Sequence, residues 1–147
     1  MNTIDNNFLE VVSNGEITSS SNLLEQIAFV KRGIKVNTID LLGQKLKWKP
    51  TVLAKAIGTT ATTLERHRKN KTSLNISVSE NALELAKLAT FTISYFGNIE
   101  RWNEWINTAN VQFDNQPPLN FIQFIRGRES IKRSILALES RLVGVLQ

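Results

Sequence analysis

A chain of 147 residues, 41% of them apolar, is long enough for one medium domain or two small ones. It contains no cysteine, which excludes a disulfide framework, a thiolate nucleophile and a cysteine-based metal site. The net charge is +5, and the longest unbroken apolar run, Ile27 to Val30, is far too short to span a bilayer.

The amino terminus is acidic and polar, without the basic start and apolar run of a secretory signal, so a cytoplasmic location with no membrane partner is expected. Residues 1–20, rich in Asn and Ser, read as a flexible arm. A first helix is expected from about Ser21 through Leu23, Leu24, Ile27 and Val30 to a stop at Gly33. Thr38 then suits the cap of a second helix, from Ile39 to Leu46, with Leu41, Leu42 and Leu46 inward.

The stretch from Lys49 to Lys71 reads as two short helices meeting at a sharp turn. Pro50 suits a first helical position, because its locked φ is helical and its missing N–H has no intrahelical partner there. Trp48 and Leu53 have the spacing of a hydrophobic staple. Val52, Leu53, Ala54 and Ile57 form an apolar side, Gly58 falls where a helix ends by turning left-handed, and Thr60 can cap a second helix that carries Leu64 inward. Lys71 to Val78 has the composition of a link.

Ser77 and Glu80 stand in capping-box spacing at the head of a long helix that runs to about Phe96, with apolar residues on more than one face. Gly97 ends it, and Asn98 can cap a helix bearing Ile99, Trp102, Trp105 and Ile106. A loop from Thr108 to Pro118 tucks in Val111 and Phe113. Pro118 can open a helix with Leu119, Ile122 and Ile125, stopped at Gly127, and a last helix carries Ile131, Ile135, Leu138 and Leu142 to Gly144. No segment shows the strict alternation of a half-buried strand, so the expected fold class is all-α.

Ala54, followed four residues later by Gly58 and six further on by Leu64, resembles the helix-turn-helix of bacterial repressors. Two helices cross this closely only with a small residue at the joint and a glycine in the turn. The resemblance puts Thr60, Ala61, Thr62, Glu65, Arg66 and Lys69 on the groove-facing side of the second helix, and Leu64 and His67 on its inner side. Charge coincides with this motif. Residues 1–30 hold four acids and no Lys or Arg, residues 31–75 hold eleven Lys and Arg against Asp40 and Glu65, and residues 76–147 sum to zero. Such a patch neutralises phosphates with release of counterions. In this reading Arg66 meets a base edge, Thr62 a methyl group or a phosphate, and Arg68, Lys69 and Lys71 phosphates, with Thr60, Thr63 and Glu65 also among the contacting residues.

The carboxy-terminal half extends the likeness. A long helix, Phe96-Gly97, Trp105-Ile106, Asn110-x-x-Phe113, Pro118-Leu119, Gly127 and Ile131 follow in an order and spacing that resemble the Xre/MbcA/ParS antitoxins. Gly58-x-x-x-x-Thr63-Leu64-x-Arg66 resembles the same family's recognition-helix signature, and the likeness covers roughly residues 34–144. Within it, Lys49 stands where a capping Ser is usual and Asn115 where glycine is common.

The resemblance implies an amino-terminal helix-turn-helix domain (21–76) that binds operator double-stranded DNA. It implies a carboxy-terminal domain (77–147) that forms a homodimer and covers a RES-domain, NAD-consuming toxin. On the family pattern Arg141, Leu142, Val143 and Gly144 would face the toxin. Phe91 and Tyr95, on the long helix, and Trp102 and Trp105, whose helix also carries Glu100 and Glu104, are read as core or dimer-interface anchors rather than a stacking platform for bases. His67, the only histidine, is expected to be packed or hydrogen-bonded rather than a ligand or base. No catalytic constellation, metal-ligand set or phosphate loop appears, so neither enzymatic activity nor a cofactor is expected. A stand-alone repressor with the same DNA-facing residues and no toxin partner is the alternative.

Overall fold

The computed structural model describes residues 7–146, with side chains described through residue 141. The chain is all-α. Among the described residues eight α-helices are joined by turns and two short 3-10 segments, with no strand. It divides into two compact units, Met1–Thr90 and Phe91–Gln147, and the division falls inside a helix rather than in the expected link at 71–78.

The first unit starts earlier than composition suggests. Residues 8–13, expected to belong to a flexible arm, form helix α1 (Phe8–Ser13), capped by the Asn7 side chain, which accepts from Glu10 N. Phe8, Leu9, Val12 and Ile17 are buried, and α1 packs against α3 (Val36–Leu46). The Phe8 amide also donates to Thr90 Oγ1 at 3.0 Å, so this segment is fastened to the core by polar as well as apolar contacts. The Asn and Ser residues that mimic a disordered composition instead cap and terminate this helix. Ser13 Oγ accepts from Ile17 N and donates to Leu9 O. The six residues before Asn7 lie outside the described residues.

Helix α2 (Leu23–Arg32) begins with a capping box between Asn22 and Glu25. Leu23 and Leu24 are 70% and 74% exposed, and burial on this helix is confined to Phe29 and Val30 near its end. Helix α3 begins three residues before the expected start, after Lys35, and the Thr38 hydroxyl bonds back to Lys35 O inside its first turn. Ile39, Leu42 and Leu46 are fully buried, whereas Leu41 faces solvent.

Helices α4 (Pro50–Ala56) and α5 (Ala61–Asn70) follow, and then α6 (Ile76–Phe96). Asn75 takes the capping role expected of Ser77: its side chain accepts from Val78 N at 2.8 Å, so the helix begins earlier. Ser79, fully buried, ties α6 down by accepting from Ile34 N and donating to Leu74 O. These contacts explain why residues 71–90 belong to the first unit.

In the second unit Gly97 (φ +90°) ends α6, and Asn98 caps α7 (Ile99–Ile106). Two left-handed residues, Asp114 and Asn115, close the loop whose ends pair as Asn110 N to Gln116 O. Both side chains are short and polar, the kind that tolerates this conformation best after glycine. Helix α8 (Ile125–Leu146) then runs through Gly127, which was expected to stop a helix, and past Gly144. A Cβ at Gly127 would lie 1.8 Å from Phe121 O, so the glycine is there to let the 3-10 segment Pro118–Phe121 approach.

Candidate nucleic-acid interface

The α4–α5 pair is built as its residues dictate. Lys49 precedes α4 without capping it, and Pro50 occupies the first position. The helix ends at Ile57. Gly58 follows with φ +80°, and Thr59 N returns to Ala54 O at 2.9 Å. Thr60 caps α5: its hydroxyl oxygen accepts from Thr63 N at 3.1 Å and its proton goes to Thr63 Oγ1 at 3.0 Å. Ala54, Ile57 and Leu64 are buried where the two helices meet. Asn81 on α6 donates to Ile57 O at 3.2 Å, holding the turn from behind.

With Leu64 inside, the opposite side of α5 is open. Thr62, Glu65, Arg66 and Lys69 are exposed. His67 is half-buried, its Nδ1 2.7 Å from Thr72 Oγ1. Lys71, exposed, terminates α5 in the left-handed conformation. Thr60 and Thr63, both expected among the contacting residues, spend their hydroxyls largely on each other and on the cap.

Arg68, expected at a phosphate, is placed differently. Its Nε and one terminal nitrogen donate to the two oxygens of Asp40 on α3, at 2.9 and 2.7 Å, and its other terminal nitrogen bonds to Glu65. The hydrogen bond to Asp40, with the charges of Asp40 and Glu65 behind it, raises the guanidinium pKa further above its already high value. Glu65 therefore pairs with Arg68 at i,i+3 and not with Lys69 at i,i+4. Both acids of the basic segment are occupied by this one arginine. Arg66, Lys69 and Lys71 have no carboxylate partner among the described residues. Asp40 was not singled out in the sequence, although as one of two acids among eleven cations it was conspicuous there.

The candidate residues of the second unit form a separate group. Trp102 is fully buried. Trp105 lies stacked beside it at 6.4 Å between ring centres and meets Phe113 edge-on. Tyr95 packs edge-on against Phe96, and Phe91 carries Lys132 Nζ 5.3 Å above its ring. Of the four expected anchors Trp102 alone is fully buried; Phe91, Tyr95 and Trp105 are half-buried. Arg141 is exposed and borders a cavity of about 210 Å³ together with Trp105, Val111, Gln112 and Leu138. Leu142, Val143 and Gly144 continue α8, with their side chains outside the described residues.

The sequence matches no family model and is significantly similar to no curated protein. Among the described residues no helix is long and apolar enough to cross a membrane.

Proposed function

We propose that this protein binds double-stranded DNA through α5, with α4 and α5 acting as a helix-turn-helix. The supporting observation is the two-sidedness of α5: Leu64 is buried against the joint while Arg66 and Lys69 stand exposed on the other side and Lys71 at the end. Helix side chains placed this way reach base edges from the early turns and phosphates from the later ones. A homodimer would grip two half-sites about one helical turn of DNA apart, which multiplies modest affinities.

The finer reading rests on the resemblance of the residue order to Xre/MbcA/ParS antitoxins. In it the carboxy-terminal domain pairs two copies and covers a RES-domain, NAD-consuming toxin, with Arg141, Leu142, Val143 and Gly144 on the toxin side, in the cytoplasm and without catalysis of its own. Toxin and operator held by one chain would be coupled, and linkage makes that coupling reciprocal. The stand-alone repressor shares every DNA-facing residue, so toxin rescue separates the two. Co-expression with the product of a neighbouring RES-like gene restores growth if the antitoxin reading is right. Continued growth arrest removes that reading and leaves the repressor. DNA binding is tested by fluorescence anisotropy on the gene's upstream duplex across a salt series. Affinity should fall steeply with salt, and the absence of binding at low salt removes the repressor and the operator-binding part of the antitoxin reading.

A further inference from the structure

Arg68 sits among cations on a helix read here as DNA-facing, yet its whole donor fork points to protein. Two of its nitrogens take both oxygens of Asp40, and the third takes one oxygen of Glu65. The three side chains are partly open to solvent, at 40% for Arg68, 37% for Asp40 and 66% for Glu65. Exposed pairs of this kind add little to stability, so stability alone is a weak reason for the arrangement. Its geometric effect is larger. A planar fork held at two points on α3 leaves the third donor fixed, and that donor fixes the Glu65 carboxylate.

Resting on the DNA-binding reading of α5, we propose that Glu65 is a specificity-determining residue that accepts a hydrogen bond from the exocyclic amine of a cytosine, and that Asp40 is its positioning residue, acting through Arg68. A carboxylate brought to the groove meets phosphate repulsion. Arg68 offsets that charge through Oε2 and leaves Oε1 as an acceptor, and carboxylates accept from the cytosine amine in the major groove. Arg68 is thereby withdrawn from phosphate contact, and Lys69, unpaired with Glu65, remains for it.

The test uses the full chain and a randomised duplex pool, followed by anisotropy on the recovered duplex and on a shuffled one. The wild-type protein should enrich a site with a cytosine that Glu65→Ala, which lacks the acceptor, no longer selects. Asp40→Asn should lower discrimination at that same base pair by about ten-fold, while its affinity for the shuffled duplex holds or rises because a negative charge has gone. Asp40→Glu, which keeps a carboxylate opposite Arg68, should retain the preference. If Asp40→Asn tightens binding to both duplexes by one common factor, the positioning role is overturned. Should Asp40→Asn melt early, Glu65→Ala decides alone, and an unchanged base preference overturns the inference. Failure of the wild-type chain to enrich any sequence, with Arg66→Ala and Lys71→Ala without effect on binding, instead removes the DNA reading beneath it.

Discussion

Asn81 and Gly58 are in contact across the back of the α4–α5 turn. The Asn81 amide donates to Ile57 O at 3.2 Å, and a Cβ on Gly58 would lie 3.0 Å from that same nitrogen. The turn is therefore shaped by a side chain from α6 as well as by its own backbone.

Gly58→Ala should destabilise the protein by about 1–2 kcal/mol, since the left-handed φ opposes a Cβ. Asn81→Ala should cost about 1 kcal/mol through the lost hydrogen bond. The double variant should cost less than the sum, because removing Asn81 relieves the crowding at residue 58. Urea unfolding of the four proteins measures this, and strict additivity would show that Asn81 does not press on the turn.

Phe8→Ala should destabilise the first unit by about 3 kcal/mol, the usual consequence of truncating a fully buried phenylalanine. Chemical denaturation of the full chain checks it. A change near zero would return residues 8–13 to the status of an arm.

Gly127→Ala should destabilise by about 2 kcal/mol or more. In an open helix the same change stabilises, because alanine is the better helix former. Here the new methyl overlaps the Phe121 carbonyl, so the sign reverses. Tryptophan fluorescence during unfolding, in a Trp48→Phe background that leaves only Trp102 and Trp105, reports the second unit, and a stabilised variant would contradict the close approach.

On DNA, Arg66→Ala should relax sequence preference by about 1–3 kcal/mol at one base pair, whereas Lys71→Ala should weaken all duplexes alike and reduce the salt slope by about one. Competition anisotropy at several salt concentrations separates the two effects. Equal behaviour of the two variants would refute the division between base reading and phosphate contact along α5.

Local signals carried much of the fold. Pro50, Gly58 and Thr60 mark the ends of α4 and the start of α5 because each acts through its own backbone dihedral or its nearest amides. Gly97 and Asn98 do the same between α6 and α7. The misreadings share one cause, that a distant partner decides. Leu41 looks like a core residue beside Leu42 and Leu46, but it is exposed. Gly127 looks like a stop by identity, but it answers to Phe121. Residues 8–13 look mobile by composition, yet α3 and Thr90 hold them.

The candidate interface divides the same way. That α5 would carry Leu64 on one side and Arg66 and Lys69 on the other was determined by helical period alone, since residues three and four apart share a face. Which of its cations stay available was decided only in three dimensions. Asp40 is 28 residues from Arg68 along the chain, and only the packing of α3 against α5 brings its carboxylate to the guanidinium. A spacing rule reaches one or two turns, and a bidentate ion pair between two helices lies beyond it.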